Sequence, residues 1–505
     1  LKSSLAGELI ISVSGLRGVV GEALTPEVAR RYAFAFAQSL PAGPVVVTRD
    51  GRANGAQFVE PVARGLMGGG VRTVLDGGIA ATPTTGVLVR QHHCVGGIQI
   101  SASHNPPEYN GLKLFSAEGR VLPSKAGECV LERYRNLEAV RAADSEATNS
   151  TKGIIPTIPL PFEERRGEGQ SPFIKPSSPN PPPKGEGLTN AAIQPLTDTT
   201  SAHLALVAAI VDVERIRDRR FPVLLDANHG SGGVLGKRLL EHLGCELVLL
   251  GGEPDGLFDH PPEPTAENLQ AVLAEVTRTG AQVGFCQDPD ADRLAIIDEQ
   301  GRYLGEEYTL AICANHVLRR TPGPVVTNCS TSRMTQDIAT RYGVPFFRSA
   351  VGEANVVDVM LSTRAVFGGE GNGGVIDPRV VLVRDSFVGM ALVLDTMAER
   401  QLPISALADE LPRYAIHKTK MEMPREMVSA AFSALERHFD DATSDRLDGL
   451  RLDWTDGPRR GAWLLVRASN TEPIVRLVAE ATDAVVARGL CDEAAAVIAQ
   501  VVPGN

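Results

Sequence analysis

One unit recurs three times along the 505 residues and limits the possible folds more than any other feature. It reads apolar strand, polar loop, helical stretch, second strand. Pro44-Val45-Val46-Val47 leads through Thr48-Arg49-Asp50-Gly51 and a helical stretch to Gly70-Val71-Arg72-Thr73-Val74-Leu75. Pro222-Val223-Leu224-Leu225 leads through Asp226-Ala227-Asn228-His229-Gly230 to Gly244-Cys245-Glu246-Leu247-Val248-Leu249. Pro324-Val325-Val326-Thr327 leads through Asn328-Cys329-Ser330 to Gly343-Val344-Pro345-Phe346-Phe347. The strands are continuously apolar rather than alternating, which fits sheets covered on both faces. Three copies predict three similar α/β domains. No dinucleotide fingerprint accompanies them: Gly230 and Gly232 fit it, but Leu235 stands where the third glycine belongs.

Between roughly Asp144 and Thr200 this texture disappears. Pro-Pro-Pro, Ser-Ser-Pro and Gly-Glu-Gly runs replace periodicity. Such a stretch buries too little apolar surface to offset its ordering entropy, so it reads as a disordered insertion between the first two domains. A proline-rich partner-binding segment is the competing reading. The net charge of −11 argues against a general nucleic-acid binder. No apolar run approaches the roughly 18 residues of a membrane span. Glu8 interrupts the short apolar stretch near the N-terminus, so no signal peptide is read there. Seven scattered cysteines without a CxxC pair favour reduced thiols and a cytoplasmic location.

Polar motifs follow several of the apolar runs. After Val95 to Ile100 comes Ser101-Ala102-Ser103-His104-Asn105-Pro106-Pro107. The prolines forbid a helix and hold a loop at the strand's end, where α/β proteins place chemistry. Lys113 follows closely. A plain Ser/Asn turn closed by prolines is the alternative. Near the N-terminus, Gly15-Leu16-Arg17-Gly18 reads as a tight turn presenting Arg17.

Asp288-Pro289-Asp290-Ala291-Asp292-Arg293 is the second motif. Alternate residues of an extended loop can point three carboxylates at one place. Clustered negative charges repel unless a cation joins them, and an all-oxygen set suits Mg²⁺. An EF-hand competes, with Glu299 at its twelfth position, but Arg293 occupies the glycine position and the flanks read as strands. The aspartyl nucleophile of a haloacid-dehalogenase phosphatase and a solvated acidic turn compete as well. The third motif, Phe367-Gly368-Gly369-Glu370-Gly371-Asn372-Gly373-Gly374, allows close backbone approach to a ligand. Glu370 can accept hydroxyl donors there, and Asn372 can donate or accept. A glycine-rich hairpin explains it equally well. In the fourth, Arg467-Ala468-Ser469-Asn470-Thr471-Glu472-Pro473-Ile474-Val475-Arg476, two arginines bracket groups able to wrap a phosphate.

Together these motifs resemble, in order and over almost the whole chain, those of the α-D-phosphohexomutase family. The resemblance implies an α/β fold: three similar α/β domains with mixed sheets plus a smaller α+β C-terminal domain around one central cleft. It implies a phosphosugar mutase that moves a phosphoryl group between O6 and O1 through a phosphoserine and a bound hexose 1,6-bisphosphate. Ser103 would be the phosphoserine. Asp288, Asp290 and Asp292 would bind Mg²⁺ together with the Ser103 phosphate. Glu370 and Asn372 would hold sugar hydroxyls. Arg467, Ser469, Asn470, Thr471 and Arg476 would clamp the non-reacting phosphate. Lys113 and Arg17 are read as handling protons and transition-state charge, and Arg293 as a further substrate contact. His104 adjoins Ser103, but neighbours on an extended loop face opposite ways, so it is read as orienting structure.

The expected boundaries are 1–146, an insertion at 147–197, then 198–305, 306–412 and 413–505. The expected partner is a phosphosugar, with no nucleic acid and no membrane, in a monomer or homodimer. Two departures put the sugar in doubt. Many relatives carry Ser where this chain has Asn372. The loop Ser349-Ala350-Val351-Gly352-Glu353-Ala354-Asn355 lacks the Lys or His that some members use. The loops around Glu370 and Glu353 look most like those of bacterial phosphoglucosamine mutases. Glucosamine phosphate is therefore the expected substrate, with mannose or glucose phosphate as the alternative. A Mg²⁺-dependent sugar phosphatase and a non-catalytic sugar-phosphate binder are the more remote readings.

Overall fold

In all three repeats the first strand becomes the middle of a sheet. Val45–Arg49 pairs in parallel with Thr73–Ile79, Pro222–Asp226 with Glu246–Leu250, and Val325–Asn328 with Phe346–Ser349. The intervening helices are Ala56–Gly68, Gly232–His242 and Met334–Arg341. On its other edge each middle strand takes a further parallel neighbour, Gly96–Ile100, Val283–Gln287 or Phe367–Glu370. Each of these turns back into an antiparallel partner, Tyr109–Ser116, Leu294–Asp298 or Gly374–Ile376. The sheets are therefore mixed. The loops carrying Ser103, the three aspartates and Glu370 occupy equivalent places, at the turn of this last hairpin. The computed structural model describes residues 9–12, 15–150, 192–469 and 473–501.

The chain after residue 414 forms an antiparallel sheet of five strands. The helices Val428–His438 and Ala484–Val501 pack against it around Phe432, Leu464 and Leu477. Its other face brings Trp463 and Leu465 onto Cys329 of the third domain. This is the smaller α+β domain that the sequence leads one to expect.

Two expectations need correction. Gly15-Leu16-Arg17-Gly18 is not a turn but lies in the strand Gly15–Val19, paired with Tyr109–Ser116. The glycine is required by close packing: a Cβ on Gly15 would stand 2.0 Å from the Leu112 carbonyl oxygen. The segment read as an insertion, 147–197, is also too wide. The helix Ser124–Ser150 enters it, and Ala192–Pro195 is a strand pairing in parallel with Thr73–Ile79 at the edge of the first sheet. Four residues carry too short a pattern to register as a strand after a proline-rich run, yet an open edge can recruit them through backbone alone. Residues 151–191 lie outside the described residues.

The domains are locked together behind the cleft. The helix Ser386–Arg400 is buried from Ser386 to Ala398. Its N-cap Asp385 accepts from the amides of Phe387 and Val388 and pairs with His203 at 2.7 Å, while the other ring nitrogen of His203 meets Thr84 Oγ1 at 2.9 Å. One buried chain of polar groups thus ties the first, second and third domains. No helix among the described residues is long and apolar enough to cross a membrane. All seven cysteines are free thiols.

Candidate active site

The Ser103 loop is gripped from behind by Arg52, a residue with no place in the motifs read from the sequence. Its guanidinium donates to the carbonyls of Ser103 (2.6 Å), Asn105 (2.6 Å), Pro106 (2.7 Å) and Tyr109 (3.3 Å), and its Nε to Asp50 Oδ2 (3.2 Å). The grip holds Ser103 in the left-handed region at φ +51°. This overturns the extended-loop argument about His104. The left-handed residue swings the imidazole round, so that Nδ1 lies 3.4 Å from Ser103 Oγ. Burial, with Arg293 and Arg17 close by, pushes the His104 imidazole down to about 3, so it is neutral near pH 7.

The Ser103 hydroxyl donates to Asp288 Oδ2 at 2.8 Å. Asp288, Asp290 and Asp292 are fully buried, and each offers a carboxylate oxygen within 4.8 Å of the others. They converge through a tight turn rather than an extended loop. Ala291 donates to the Asp288 carbonyl at 2.9 Å and is itself left-handed at φ +55°. The flanking segments are strands, which removes the EF-hand. Thr82 carries Asp290 from the first domain, its hydroxyl donating to Oδ2 at 2.6 Å.

Two oxygens in this cluster, Asp290 Oδ1 and Asp292 Oδ1, are buried without a hydrogen bond. Unmet acceptors of one sign beside a third carboxylate fit a hard cation bound by oxygen. Burial and the repulsion of Asp290 and Asp292 hold Asp288 well above the ordinary carboxylate range. Burial also opposes ionisation of Asp290, but Lys113 and the hydrogen bonds outweigh it and hold that carboxyl low. Lys113 Nζ bridges Asp290 Oδ2 at 3.0 Å and Asp292 Oδ2 at 2.9 Å. Its burial favours the neutral amine, yet the two aspartates prevail and keep it an ammonium.

The cluster adjoins a cavity of about 310 Å³ lined by Arg17, Lys113, Arg293, Glu353, Glu370, Asn372 and Arg384, among others. Arg17 lies 3.5 Å from Asn105 Oδ1, and Arg293 Nε 3.9 Å from Asp288 Oδ2. The glycine-rich segment is a hairpin and a cavity wall at once. Glu370 Oε1 accepts from Asn328 Nδ2 at 2.7 Å and Gly352 N at 3.0 Å. Asn372 Oδ1 accepts from Gly374 N at 3.3 Å. Arg384, also absent from the sequence reading, reaches Glu370 Oε2 and Asp292 Oδ2, each at 2.6 Å. Glu353 is raised to about 6, mainly by burial. The only hint of Arg52 in the sequence is its place just after a repeat's polar loop. Arg384 had no signal at all.

The C-terminal motif stands further off. Among the described residues, Lys418 reaches the cavity wall from that domain, while Arg467, Ser469 and Arg476 do not line it. Arg467 and Arg476 face each other across paired strands, and Lys420 pairs with Arg476, which sets three cations on one sheet face. Arg467 Nε is held by Asp448 at 2.9 Å, and Asp448 also accepts from Val351 N of the third domain at 2.8 Å. Asn470 and Thr471 lie outside the described residues.

Comparison with known proteins follows the same division into four. Models of the phosphoglucomutase/phosphomannomutase family match successively: alpha/beta/alpha domain I at residues 9–141, domain II at 201–301, domain III at 306–414 and the C-terminal domain at 428–497. A phosphoglucomutase/phosphomannomutase of Thermococcus kodakarensis is 35% identical, over 92% of this chain and 93% of that protein. A probable phosphoglucosamine mutase of Methanopyrus kandleri is 31% identical, over 95% of each chain. Among solved structures, a phosphoglucomutase/phosphomannomutase family protein of Burkholderia thailandensis superposes with a TM-score of 0.74 at 26% identity, covering 98% of this chain and 99% of that one.

Proposed function

The chain belongs to the α-D-phosphohexomutase family and is a phosphosugar mutase, an isomerase, and from that premise we propose that it works through a phosphoserine at Ser103 on glucosamine phosphate. The observation that carries the phosphoserine is the 2.8 Å contact between Ser103 Oγ and Asp288, beside two buried carboxylate oxygens with no hydrogen bond. Asp288, Asp290 and Asp292 are the residues that would hold Mg²⁺. When bound, that ion supplies charge neutralisation for the phosphate and for the serine oxygen as it leaves.

The chain's own residues do the rest. With glucosamine 6-phosphate in the cavity, its O1 attacks phosphorus of phospho-Ser103, the bond from phosphorus to Ser103 Oγ breaks, and the proton lost by O1 is balanced by the one that the departing Ser103 Oγ takes up. The product is the 1,6-bisphosphate and a free serine. After the sugar turns over, Ser103 Oγ attacks the 6-phosphate, and glucosamine 1-phosphate leaves with a free O6. Lys113, kept an ammonium, and Arg17 offset charge on the transferring group. Glu370 and Asn372 receive the 3- and 4-hydroxyls in either orientation. The C-terminal motif, Arg467 and Arg476 with Ser469, Asn470 and Thr471, would take the phosphate that is not reacting once that domain moves toward the cavity, whose wall it reaches here through Lys418.

Two hydroxyls that are equatorial in glucose, mannose and glucosamine alike do not report carbon 2. Glu307 and Glu353 lie on the cavity wall, and burial holds both above the ordinary carboxylate range; an ammonium beside them would favour their ionised forms, which supports the amino sugar. The 35% identity to a protein named phosphoglucomutase/phosphomannomutase supports the neutral sugars instead. Comparing kcat/KM for glucosamine, mannose and glucose phosphates, each with its matched bisphosphate, decides between them. Glucosamine phosphate should be preferred, with a bisphosphate requirement and no net phosphate release. Preference for a neutral sugar would overturn the substrate. Stoichiometric phosphate release would overturn the mutase cycle in favour of a phosphatase.

A further inference from the structure

The metal loop and the sugar loop come from different domains, and one side chain joins them. Arg384 lies behind Asp377 and ahead of the helix Ser386–Arg400. Its guanidinium is a fork between two carboxylates: one terminal nitrogen donates to Asp292 Oδ2, the other to Glu370 Oε2, both at 2.6 Å. Its own amide donates to Glu353 Oε1 at 2.8 Å, and Glu353 Oε2 lies 3.6 Å from Nε. The stem packs over Gly374, where a Cβ would stand 2.3 Å from Arg384 Cδ.

These contacts act on the two carboxylates in opposite ways. Glu370 has its Oε1 held by Asn328 and Gly352 and its Oε2 by Arg384, so the carboxylate has a single orientation. A free lone pair on Oε2 remains for a sugar hydroxyl. Asp292 has its Oδ2 taken by both Arg384 and Lys113, and only Oδ1 is unbonded. A bound divalent cation would therefore compete with a guanidinium already resident on the same carboxylate.

We propose that Arg384 is a positioning residue that orients Glu370 toward the sugar while weakening divalent-cation binding at Asp292. The proposal rests on the mutase reading only for the parts played by Asp292 and Glu370. Lysine in its place would keep the charge but could not serve two carboxylates in a plane.

The test is a pair of measurements on the full chain. Mn²⁺ binding is followed by the electron paramagnetic resonance signal of the free ion. KM is measured for the best of the three hexose phosphates. Arg384→Gln should bind Mn²⁺ more tightly, by about fivefold or more, the lower end of ordinary coupling between sites. The same variant should raise KM by about fivefold or more. Gly374→Ala, which displaces the stem without changing any charge, should move both quantities the same way. Arg384→Lys should raise KM with Mn²⁺ affinity near the parent's. Opposed shifts are the signature, because a general loosening of the site would weaken both ligands together. Weaker Mn²⁺ binding in Arg384→Gln, or unchanged Mn²⁺ binding, overturns the proposal. If the parent turns over none of the hexose phosphates, the mutase reading fails, and the Mn²⁺ measurement still decides the part played by Arg384.

Discussion

Ser103 Oγ and Asp288 Oδ2 meet at 2.8 Å although 185 residues separate them in the chain. Two topologically equivalent hairpins of different domains point their turns at each other, and the hydroxyl and the acidic cluster become one site. Burial and the like charges of Asp290 and Asp292 hold the Asp288 carboxyl well above the ordinary carboxylate range, and a cation, or a phosphate together with a cation, would relieve that repulsion.

Ser103→Ala should therefore abolish mutase turnover while leaving the circular dichroism spectrum intact. Mass spectrometry of the active parent should show a phosphate adduct that maps to Ser103. A parent that is fully active, unmodified and independent of added bisphosphate would remove the phosphoserine from the mechanism.

Asp290→Asn should lower kcat by about a hundredfold or more, because nearly 3 kcal/mol of charge stabilisation corresponds to that factor. EDTA should abolish activity, and Mg²⁺ should restore it. Near-normal turnover in the variant or in the chelated enzyme would make the cluster structural. Thermal unfolding of the variant separates this outcome from collapse, since Asp290 also accepts from Thr82 and Lys113.

Arg52→Ala should destabilise the first domain by about 3–5 kcal/mol, the usual cost of breaking a buried ion pair from one side. Arg52 is 1% exposed and its partner Asp50 is fully buried. Four backbone carbonyls of the Ser103 loop lose their donor at the same time. Faster hydrogen exchange should appear at residues 101–109 before the rest of the domain. Protection equal to the parent's there would show that the prolines alone hold the loop.

His104 gives the pH dependence. In the unphosphorylated protein its imidazole is pushed down to about 3 from the usual 6.5. Between these values the unfolded chain binds a proton that the folded chain does not. This share of stability is therefore complete above pH 6.5 and is lost as pH falls toward 3. His104→Asn should flatten the slope of stability against pH across that window. A His104 ring titrating near 6.5 by NMR would contradict the burial argument.

Local pattern alone carried the three-fold repeat, the four motifs and the acidic character of the Asp288 loop. Those features depend on neighbours in sequence: apolar runs make strands, prolines stop them, and three aspartates at alternate positions are visible as text. Even so, the repeat was legible only for half of each domain. The hairpins Gly96–Ser116, Val283–Asp298 and Phe367–Ile376, which carry the chemistry, complete the same plan three times. Their loops differ so much in residue type that the equivalence does not show as sequence similarity.

Tertiary structure decided the rest, for reasons no local pattern contains. The strand Ala192–Pro195 exists because Thr73–Ile79 left an open edge. Gly15 is a glycine because Leu112 packs against it, and Gly374 because Arg384 does. Arg52 and Arg384 are isolated basic residues in the text. What makes them part of the site is a set of carbonyls and carboxylates brought to them from other hairpins and other domains. Apolar runs and the breaks between them are encoded within short stretches of chain. The pairing of buried charges is settled only when distant stretches meet.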